Sequence, residues 1–185
     1  MNDLSLHYSS ESVEHYTPDQ VLDAVVKTLG EIDLDPCSNP GIPHVPCKTR
    51  FTEAHDGLIQ TWSGRVFMNP PYKRYVINRW SERLIGAYHS GEIEQAIALL
   101  PARTSTRWFR LFNEFPVCLV YGRLRFLKYG VARNKAPFPS AIFYLGHNPE
   151  LFYQNFINIG AIWATMDLSD AYLKGAALKS GVSYV

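Results

Sequence analysis

The sequence has few of the features that define several large classes of protein. Its three cysteines, Cys37, Cys47 and Cys118, include no close pair, so neither a disulfide framework nor a zinc-binding pair is expected. The six histidines are scattered, and we assign none of them to a metal or to catalysis. No apolar run approaches the roughly 20 residues that a membrane-spanning helix needs, and the first 16 residues lack the apolar stretch of a signal peptide. We therefore expect a cytoplasmic protein with reduced thiols, no metal and no membrane partner.

The composition is that of an ordinary globular protein, with 46% hydrophobic and 19% charged residues. No internal repeat or low-complexity tract interrupts the 185 residues. The polar beginning, 1–15, and the small-residue-rich end, 173–185, are expected to be mobile. A chain of this length is expected to form a single domain, 1–185, with a sizeable core.

The net charge of +1 conceals an uneven distribution of charge. Residues 1–60 contain ten acidic and three basic side chains, whereas residues 61–135 contain thirteen basic and four acidic ones. A basic segment of this kind suits the phosphate backbone of a nucleic acid, although any single arginine is more simply explained as a solvated side chain. The distribution as a whole favours a nucleic acid partner.

Short apolar strands alternate with amphipathic helical patterns along the chain. Thr17 is expected to cap a first helix, with Pro18 at its first position and Gly30 at its end. Further helices are predicted over 77–88, 104–115 and 152–156, a loop over 39–51, and strands over 31–35, 65–68, 95–100, 117–121, 140–145 and 161–166. This alternation predicts an α/β fold with a mostly parallel sheet and helices on both faces.

Polar or turn-forming residues lie at the predicted ends of three strands, namely Asp35, Asn69 and Pro101. In parallel sheets, ligands gather at the carboxyl ends of the strands. Asp33 and Asp35 share one face of their strand because side chains alternate along a strand. Two carboxylates on one face are costly in a core, so at least one is expected to meet a ligand, unless the strand is a solvated edge strand.

The most informative segment is Asn69-Pro70-Pro71-Tyr72, which follows the predicted strand 65–68. A planar amine such as that of adenine is a poor nucleophile, because its lone pair is delocalised into the ring. The side-chain oxygen of Asn69 and the carbonyl of Pro70 can each accept one amine hydrogen, which localises the lone pair as a methyl group arrives. Pro71 stiffens the turn, and Tyr72 offers a ring on which an extruded base can stack. The alternative is a plain strand-to-helix turn with Tyr72 in the core.

An ordered set of short motifs surrounds this turn. The set comprises Tyr16-Thr17-Pro18, Ile32-Asp33-Leu34-Asp35-Pro36, Asp56-Gly57-Leu58, Trp62 with Gly64, Trp80, Leu100-Pro101-Ala102-Arg103-Thr104, Gly122-Arg123-Leu124-Arg125-Phe126 and Ala136-Pro137-Phe138-Pro139-Ser140. With these motifs the chain resembles, from Tyr16 to about Ala164, the phage-type (Dam-like) DNA adenine-N6 methyltransferases. The resemblance implies a Rossmann-like fold, S-adenosylmethionine as cofactor, double-stranded DNA as partner and a bacterial host cytoplasm, with protection from restriction as a natural role.

The resemblance also implies which residues hold the cofactor. The segment 16–18 would line its methionine end, where a helix N-terminus can bind a carboxylate. Asp35 would lie beside the methionine ammonium or the ribose, and Asp56 near the adenine. The full set expected at the cofactor is Tyr16, Thr17, Pro18, Asp33, Asp35, Pro36, Ser38, Asp56 and Asn69.

The sequence departs from most methyltransferases in one motif, the glycine-rich turn after the first strand. Pro36-Cys37-Ser38-Asn39-Pro40 stands in its place, so the side chains of Ser38 and Asn39 could replace contacts from glycine backbone. The missing glycines leave open a catalytically silent DNA-binding relative. The segment Asn69-Pro70-Pro71-Tyr72, called the catalytic turn below because of this expected role, also suits RNA or a protein glutamine amide as the substrate.

Residues expected to contact DNA fall in three places. Two follow the catalytic turn, three begin a predicted helix on the same edge of the sheet, and four lie in an excursion over 122–139. They are Lys73, Arg74, Arg103, Thr104, Arg107, Arg123, Arg125, Arg133 and Lys135. In the excursion, basic residues interleave with aromatic ones, which fits a small hairpin laid on DNA.

Overall fold

The computed structural model describes residues 16–41, 43–128, 131–132 and 135–165. Over these residues the chain forms four α-helices, one short 3-10 helix and nine strands. In chain order they are α1 Asp19–Leu29, β1 Ile32–Asp35, β2 Cys47–Arg50, the 3-10 helix Glu53–His55, β3 Arg65–Met68, α2 Val76–His89, β4 Gln95–Pro101, α3 Arg107–Arg110, β5 Val117–Val120, β6 Leu127–Lys128, β7 Val131–Ala132, β8 Ser140–Leu145, α4 Pro149–Phe156 and β9 Gly160–Trp163. The segments predicted to be mobile, 1–15 and 173–185, lie outside the described residues.

Seven of the described strands form one sheet in the order β2-β1-β3-β4-β8-β5-β9. The three pairings that join β2, β1, β3 and β4 are parallel, and the three that join β4, β8, β5 and β9 are antiparallel. The α/β fold class is confirmed, but the sheet is mixed rather than mostly parallel. Every residue of β8 is buried, and a buried apolar run does not indicate in which direction its strand runs.

Helices cover both faces of this sheet. On one face, Val25 of α1 and Phe156 of α4 belong to the same buried cluster as Phe67 of β3. On the other face, Trp80 of α2 packs in a cluster with Met68, the neighbour of Phe67. Adjacent side chains on a strand point to opposite faces, so β3 is buried on both sides. The turn Asn69-Pro70-Pro71-Tyr72, predicted to be catalytic, therefore follows a strand that is packed on both faces.

The first helix begins later than the sequence pattern predicts. Pro18, with extended backbone (φ −60°, ψ 143°), is the N-cap of α1, and the helix starts at Asp19. Thr17 therefore precedes the cap, and its hydroxyl bonds Asn69 instead. Gly30 ends the helix, as predicted, with a φ of 81° that residues with a Cβ rarely adopt.

Several other predicted segments differ in extent. The predicted loop 39–51 contains β2, an exposed edge strand beside β1 whose polar side chains gave no strand pattern. The predicted helix over 104–115 is a single turn, Arg107–Arg110. The last strand starts at Gly160 and ends at Trp163. In the excursion 122–139, β6 and β7 pair antiparallel, in agreement with the predicted hairpin.

Candidate active site

The carboxyl ends of β1 and β3 lie side by side where the chain reverses its path across the sheet. From β1 the chain moves outward to β2 at the edge, and β3 then lies on the opposite side of β1. β1 ends at Asp35 and Asn69 directly follows β3. Crevices at such switch points are where open α/β sheets bind ligands. Two polar residues identified in the sequence therefore meet at a favourable position for a ligand.

A cavity that is partly open to solvent lies at this switch point. It is lined by five of the residues predicted to hold a cofactor, namely Tyr16, Thr17, Asp35, Ser38 and Asn69. The other lining residues are Cys37, Asn39, His44 and Val45. The lining is rich in hydrogen-bonding groups.

Asp35 places a carboxyl group in the cavity wall with little access to water. The residue is 4% exposed, and its Oδ1 accepts a hydrogen bond of 3.2 Å from the backbone N–H of Cys37. Burial raises the pKa of Asp35 to about 6, because the lost hydration outweighs the hydrogen bonds from Cys37 and Ser38. A cationic group bound in the cavity would offset this penalty. Asp35 is therefore suited to a ligand that carries an ammonium.

Asp33 is not among the cavity-lining residues, so Asp35 is the one of the two β1 carboxylates that lies at the cavity, and a contact of Asp33 with a cofactor stays a prediction. Oδ2 of Asp33 accepts a hydrogen bond of 2.8 Å from Nε of Arg65, and its Oδ1 lies 2.8 Å from Nζ of Lys48. The hydrogen bond from Arg65 lowers the pKa of Asp33 well below its usual value. A Cβ on Gly64 would lie 2.6 Å from Oδ2 of Asp33, so the backbone before β3 closes tightly on this carboxylate. Asp33 thus belongs to an ion-pair network at the start of β3, away from the end where Asn69 lies.

Asp56, Pro18 and Pro36 are also not among the cavity-lining residues. Asp56 is exposed with a φ of 46°, and its Oδ1 accepts a hydrogen bond of 3.3 Å from the backbone N–H of Leu58. A Cβ on Gly57 would lie 1.9 Å from the carbonyl oxygen of Pro36. The loop that contains Asp56-Gly57-Leu58 therefore packs directly against the backbone of Pro36, the residue that follows β1. A contact between Asp56 and a bound cofactor stays a prediction.

The side chain of Asn69 is held at both ends of its amide. Nδ2 donates a hydrogen bond of 3.1 Å to Oγ1 of Thr17, and Oδ1 accepts one of 2.6 Å from the hydroxyl of Tyr72. That hydroxyl also lies 3.2 Å from the carbonyl oxygen of Leu99 on β4. Burial raises the pKa of Tyr72 well above its usual value, so the hydroxyl keeps its proton and can donate. An amide held in this way is a preorganised hydrogen-bond acceptor.

Phe138 connects the excursion to the catalytic turn. Its ring lies edge-on to that of Tyr72, with centroids 5.4 Å apart and an interplanar angle of 81°. The guanidinium of Arg103 lies 6.0 Å from the centroid of Phe138, and the backbone N–H of Ala102 donates to the carbonyl of Pro139 at 2.8 Å. The sequence marks Phe138 as one aromatic residue of the excursion. No local pattern reveals its contact with Tyr72, because the two residues are far apart in the chain.

Cys37 and His44 line the cavity although neither was predicted as a site residue. The backbone of Asn69 hydrogen-bonds the Cys37 thiol, and burial raises the pKa of Cys37 well above its usual value, so the thiol is uncharged. Nε2 of His44 lies 2.6 Å from the carbonyl oxygen of Thr17, and its ring is edge-on to that of Tyr16 at 5.6 Å. Cys37 could have been found from its position two residues after Asp35. His44 offered no such signal, since it comes from a loop 27 residues away from Thr17.

Eight of the nine residues predicted to contact DNA are exposed, and Arg133 lies outside the described residues. The exposed ones are Lys73, Arg74, Arg103, Thr104, Arg107, Arg123, Arg125 and Lys135. Arg103 contacts Phe138, and Nη1 of Arg123 donates to the carbonyl of Ala136 at 3.3 Å. Arg103 therefore lies beside the Tyr72–Phe138 pair, and Arg123 is bonded within the excursion. Their contacts with DNA stay predictions.

These features define an α/β protein with a polar ligand cavity at a topological switch point and a fixed amide beside it. Among the described residues, no group of three or more His, Cys, Asp or Glu side chains could hold a metal ion. None of the described helices has the length and apolar character needed to cross a membrane.

Comparison with protein families agrees with this class of α/β protein and identifies the family. The family model for DNA N-6-adenine-methyltransferase (Dam) matches residues 9–147, about three quarters of the chain. The chain belongs to this family. No match was found among curated proteins.

Proposed function

We propose that the protein transfers a methyl group from S-adenosylmethionine to the exocyclic amine (N6) of adenine at specific sites in double-stranded DNA, on a Rossmann-like domain. The observation that carries the proposal is the amide of Asn69, fixed by Thr17 and Tyr72 beside the cavity that contains Asp35. Membership of the DNA N-6-adenine-methyltransferase family supports adenine as the target.

The cavity residues suit the amino-acid end of S-adenosylmethionine. Asp35 can accept hydrogen bonds from its ammonium, whose positive charge would favour the ionised carboxylate. The first N–H groups of α1, next to Thr17, can bind its carboxylate. Ser38 and Asn39 line the cavity where a glycine-rich turn is usual, and they offer side-chain hydrogen-bonding groups. When bound, this cofactor would supply an electrophilic methyl group on a sulfonium.

The catalytic turn would prepare the target amine with two acceptors. Oδ1 of Asn69 has two lone-pair positions, so it can hold the Tyr72 hydroxyl and still accept a hydrogen from the amine. The carbonyl of Pro70 is the second acceptor, because the following Pro71 keeps Pro70 extended. The ring of Tyr72, with Phe138 beside it, is the surface on which an extruded base would stack. The amine loses its extra proton to water after transfer, so no general base is required.

The exposed cations near the Tyr72–Phe138 pair support a nucleic acid substrate over a protein amide. They include Arg103, whose guanidinium lies 6.0 Å from the centroid of Phe138. The family match further supports DNA. As its setting we propose the cytoplasm of a bacterial host, with the protein encoded by a phage or prophage and protecting DNA from restriction.

The proposal is tested by incubating the purified protein with tritiated S-adenosylmethionine and, in parallel, duplex DNA, RNA and a protein mixture. Nucleoside analysis is expected to find the label in N6-methyladenine from DNA, and sequencing of the product should find it at recurrent sites. Label in RNA or in glutamine would support methyl transfer to a planar amine but would identify a substrate other than DNA. Binding of DNA without any transfer would identify a catalytically silent relative.

A further inference from the structure

Thr17 lies between the cavity and the catalytic turn. The residue is 2% exposed and lines the cavity. Its Oγ1 accepts the hydrogen bond from Nδ2 of Asn69 at 3.1 Å, and its carbonyl oxygen is 2.6 Å from Nε2 of His44. His44 thus holds the backbone carbonyl of Thr17, and the Thr17 hydroxyl contacts the side chain of Asn69.

The orientation of the Asn69 amide decides whether it can act on an amine. An amide has an oxygen that accepts hydrogen bonds and an NH₂ group that donates them. With Oδ1 toward the substrate, Asn69 accepts a hydrogen from the target amine. With the amide reversed, two NH₂ groups would face each other without an acceptor, and the preorganised contact would be lost.

Tyr72 alone does not fix this orientation, because its hydroxyl lies close to two different partners. It can donate its hydrogen to Oδ1 of Asn69 at 2.6 Å, as the productive orientation needs. It can also donate to the carbonyl of Leu99 at 3.2 Å, and its oxygen is then able to accept from a reversed Asn69 amide. A second anchor on the opposite side of the amide limits its movement, and Oγ1 of Thr17, which accepts from Nδ2, is in that position.

We propose that Thr17 is a positioning residue, whose hydroxyl holds the Asn69 amide in place for methyl transfer instead of serving as a ligand of the cofactor. The proposal rests on the function proposed above. It predicts that the loss of the Thr17 hydroxyl lowers the rate of the chemical step at saturating cofactor and leaves cofactor affinity unchanged.

Thr17→Val tests this because valine keeps the shape of threonine and removes the acceptor. Single-turnover methyl transfer at saturating S-adenosylmethionine should fall roughly tenfold or more, as is typical when the partner that orients a functional group is removed. Thr17→Ser keeps the hydroxyl and should restore the rate to within about threefold of wild type. The dissociation constant of the cofactor, measured by calorimetry, should stay within about twofold in both variants.

Thr28, in α1, is a closely matched control. It is 4% exposed, and its Oγ1 also accepts a hydrogen bond of 3.1 Å from an asparagine, Nδ2 of Asn155, away from the cavity. Thr28→Val should leave the single-turnover rate at the wild-type value. An equal fall in rate for Thr17→Val and Thr28→Val would assign the effect to stability and overturn the proposal. A weaker cofactor affinity with an unchanged saturated rate in Thr17→Val would also overturn it and make Thr17 a cofactor ligand.

A second measurement does not depend on activity. Thr17→Val should lower the midpoint of urea unfolding in the wild type and lower it less in an Asn69→Ala background, since the contact is already absent there. Equal shifts in the two backgrounds would overturn the contact on which the proposal rests. If the wild-type protein methylates nothing, the proposed function fails, whereas unequal midpoint shifts would still support the Thr17–Asn69 contact.

Discussion

The hydroxyl of Tyr72 donates a hydrogen bond of 2.6 Å to Oδ1 of Asn69, the oxygen that would accept from the target amine. The same hydroxyl reaches the carbonyl of Leu99 on β4. The Tyr72 hydroxyl therefore links two residues of the catalytic turn to each other and links the turn to β4. The sequence indicates the stacking role of the Tyr72 ring, but it contains no sign of this second role for the hydroxyl.

Replacing Tyr72 should separate the two roles. Tyr72→Ala removes the stacking surface, worth about 1–3 kcal/mol per base, and should impair base capture. Tyr72→Phe keeps the ring and should capture the base normally, while the single-turnover rate falls about two- to tenfold because Asn69 loses one partner. Base capture is measured as the brightening of 2-aminopurine at the target position. Equal brightening with the alanine variant would show that Tyr72 is only a packing residue.

Asp35→Asn should stabilise the protein without cofactor and weaken cofactor binding. The pKa of Asp35 is raised from 3.8 to about 6, so the folded protein holds the proton more tightly than the unfolded chain. The contribution of Asp35 to the free energy of unfolding therefore falls as pH rises from about 4 to 6, by about 3 kcal/mol in all. The asparagine variant should exceed the wild type in urea stability by up to that amount at pH 8 and match it at pH 4.

The same substitution removes the charge proposed to meet the ammonium of the cofactor. Calorimetry at pH 8 should show weaker binding of S-adenosylmethionine to Asp35→Asn and little change in DNA affinity. An unchanged cofactor dissociation constant would move the site away from Asp35, with Asp56 as the next candidate.

Gly57→Ala should destabilise the protein through backbone contact rather than through lost function. The new Cβ would lie 1.9 Å from the carbonyl oxygen of Pro36, so one of the two segments must move. We expect a loss of about 1–3 kcal/mol or more in the free energy of unfolding. Gly86 in α2 has no atom within 4 Å of such a Cβ, so Gly86→Ala should instead stabilise by about 0.5–1 kcal/mol. Similar effects of the two substitutions would contradict the close approach of Gly57 to Pro36.

Neutralising Arg103, Arg123 and Arg125 together by glutamine should weaken DNA binding for all sequences. Each phosphate contact contributes about −0.9 to the slope of log affinity against log salt, so the slope should flatten by up to about 3. Lys27 is exposed in the last turn of α1, and Lys27→Gln serves as the control. A wild-type slope in the triple variant would show that these arginines face away from DNA. A single variant that relaxes specificity at one position would instead indicate readout of a base.

The parts of the fold that follow from local patterns were predicted well. β3 and β8 have the predicted bounds because each is a continuous apolar run closed by turn residues. β2 was missed because it is an exposed edge strand without alternation. The reversed direction of β8 was also missed, since direction depends on the path of the chain between strands and not on the residues of one strand.

In the candidate site, too, some features follow from local sequence patterns and others do not. The proximity of Asp35 and Asn69 could be predicted, because both end strands at one edge of the sheet. The placement of Asp33 could not, because its partner Arg65 is 32 residues away in the chain. The contacts of Thr17 with Asn69 and of Phe138 with Tyr72 are likewise long-range. They depend on packing that no local motif encodes.

The central claim is that Asn69 acts on the transition state of methyl transfer, and Asn69→Ala tests it most directly in a single-turnover assay with tritiated S-adenosylmethionine and duplex DNA. Loss of one preorganised acceptor should lower the rate of N6-methyladenine formation roughly 10²–10³-fold. The urea midpoint of Asn69→Ala should be close to that of Thr17→Val, and cofactor affinity should remain near the wild-type value. A saturated rate within tenfold of wild type would contradict the account.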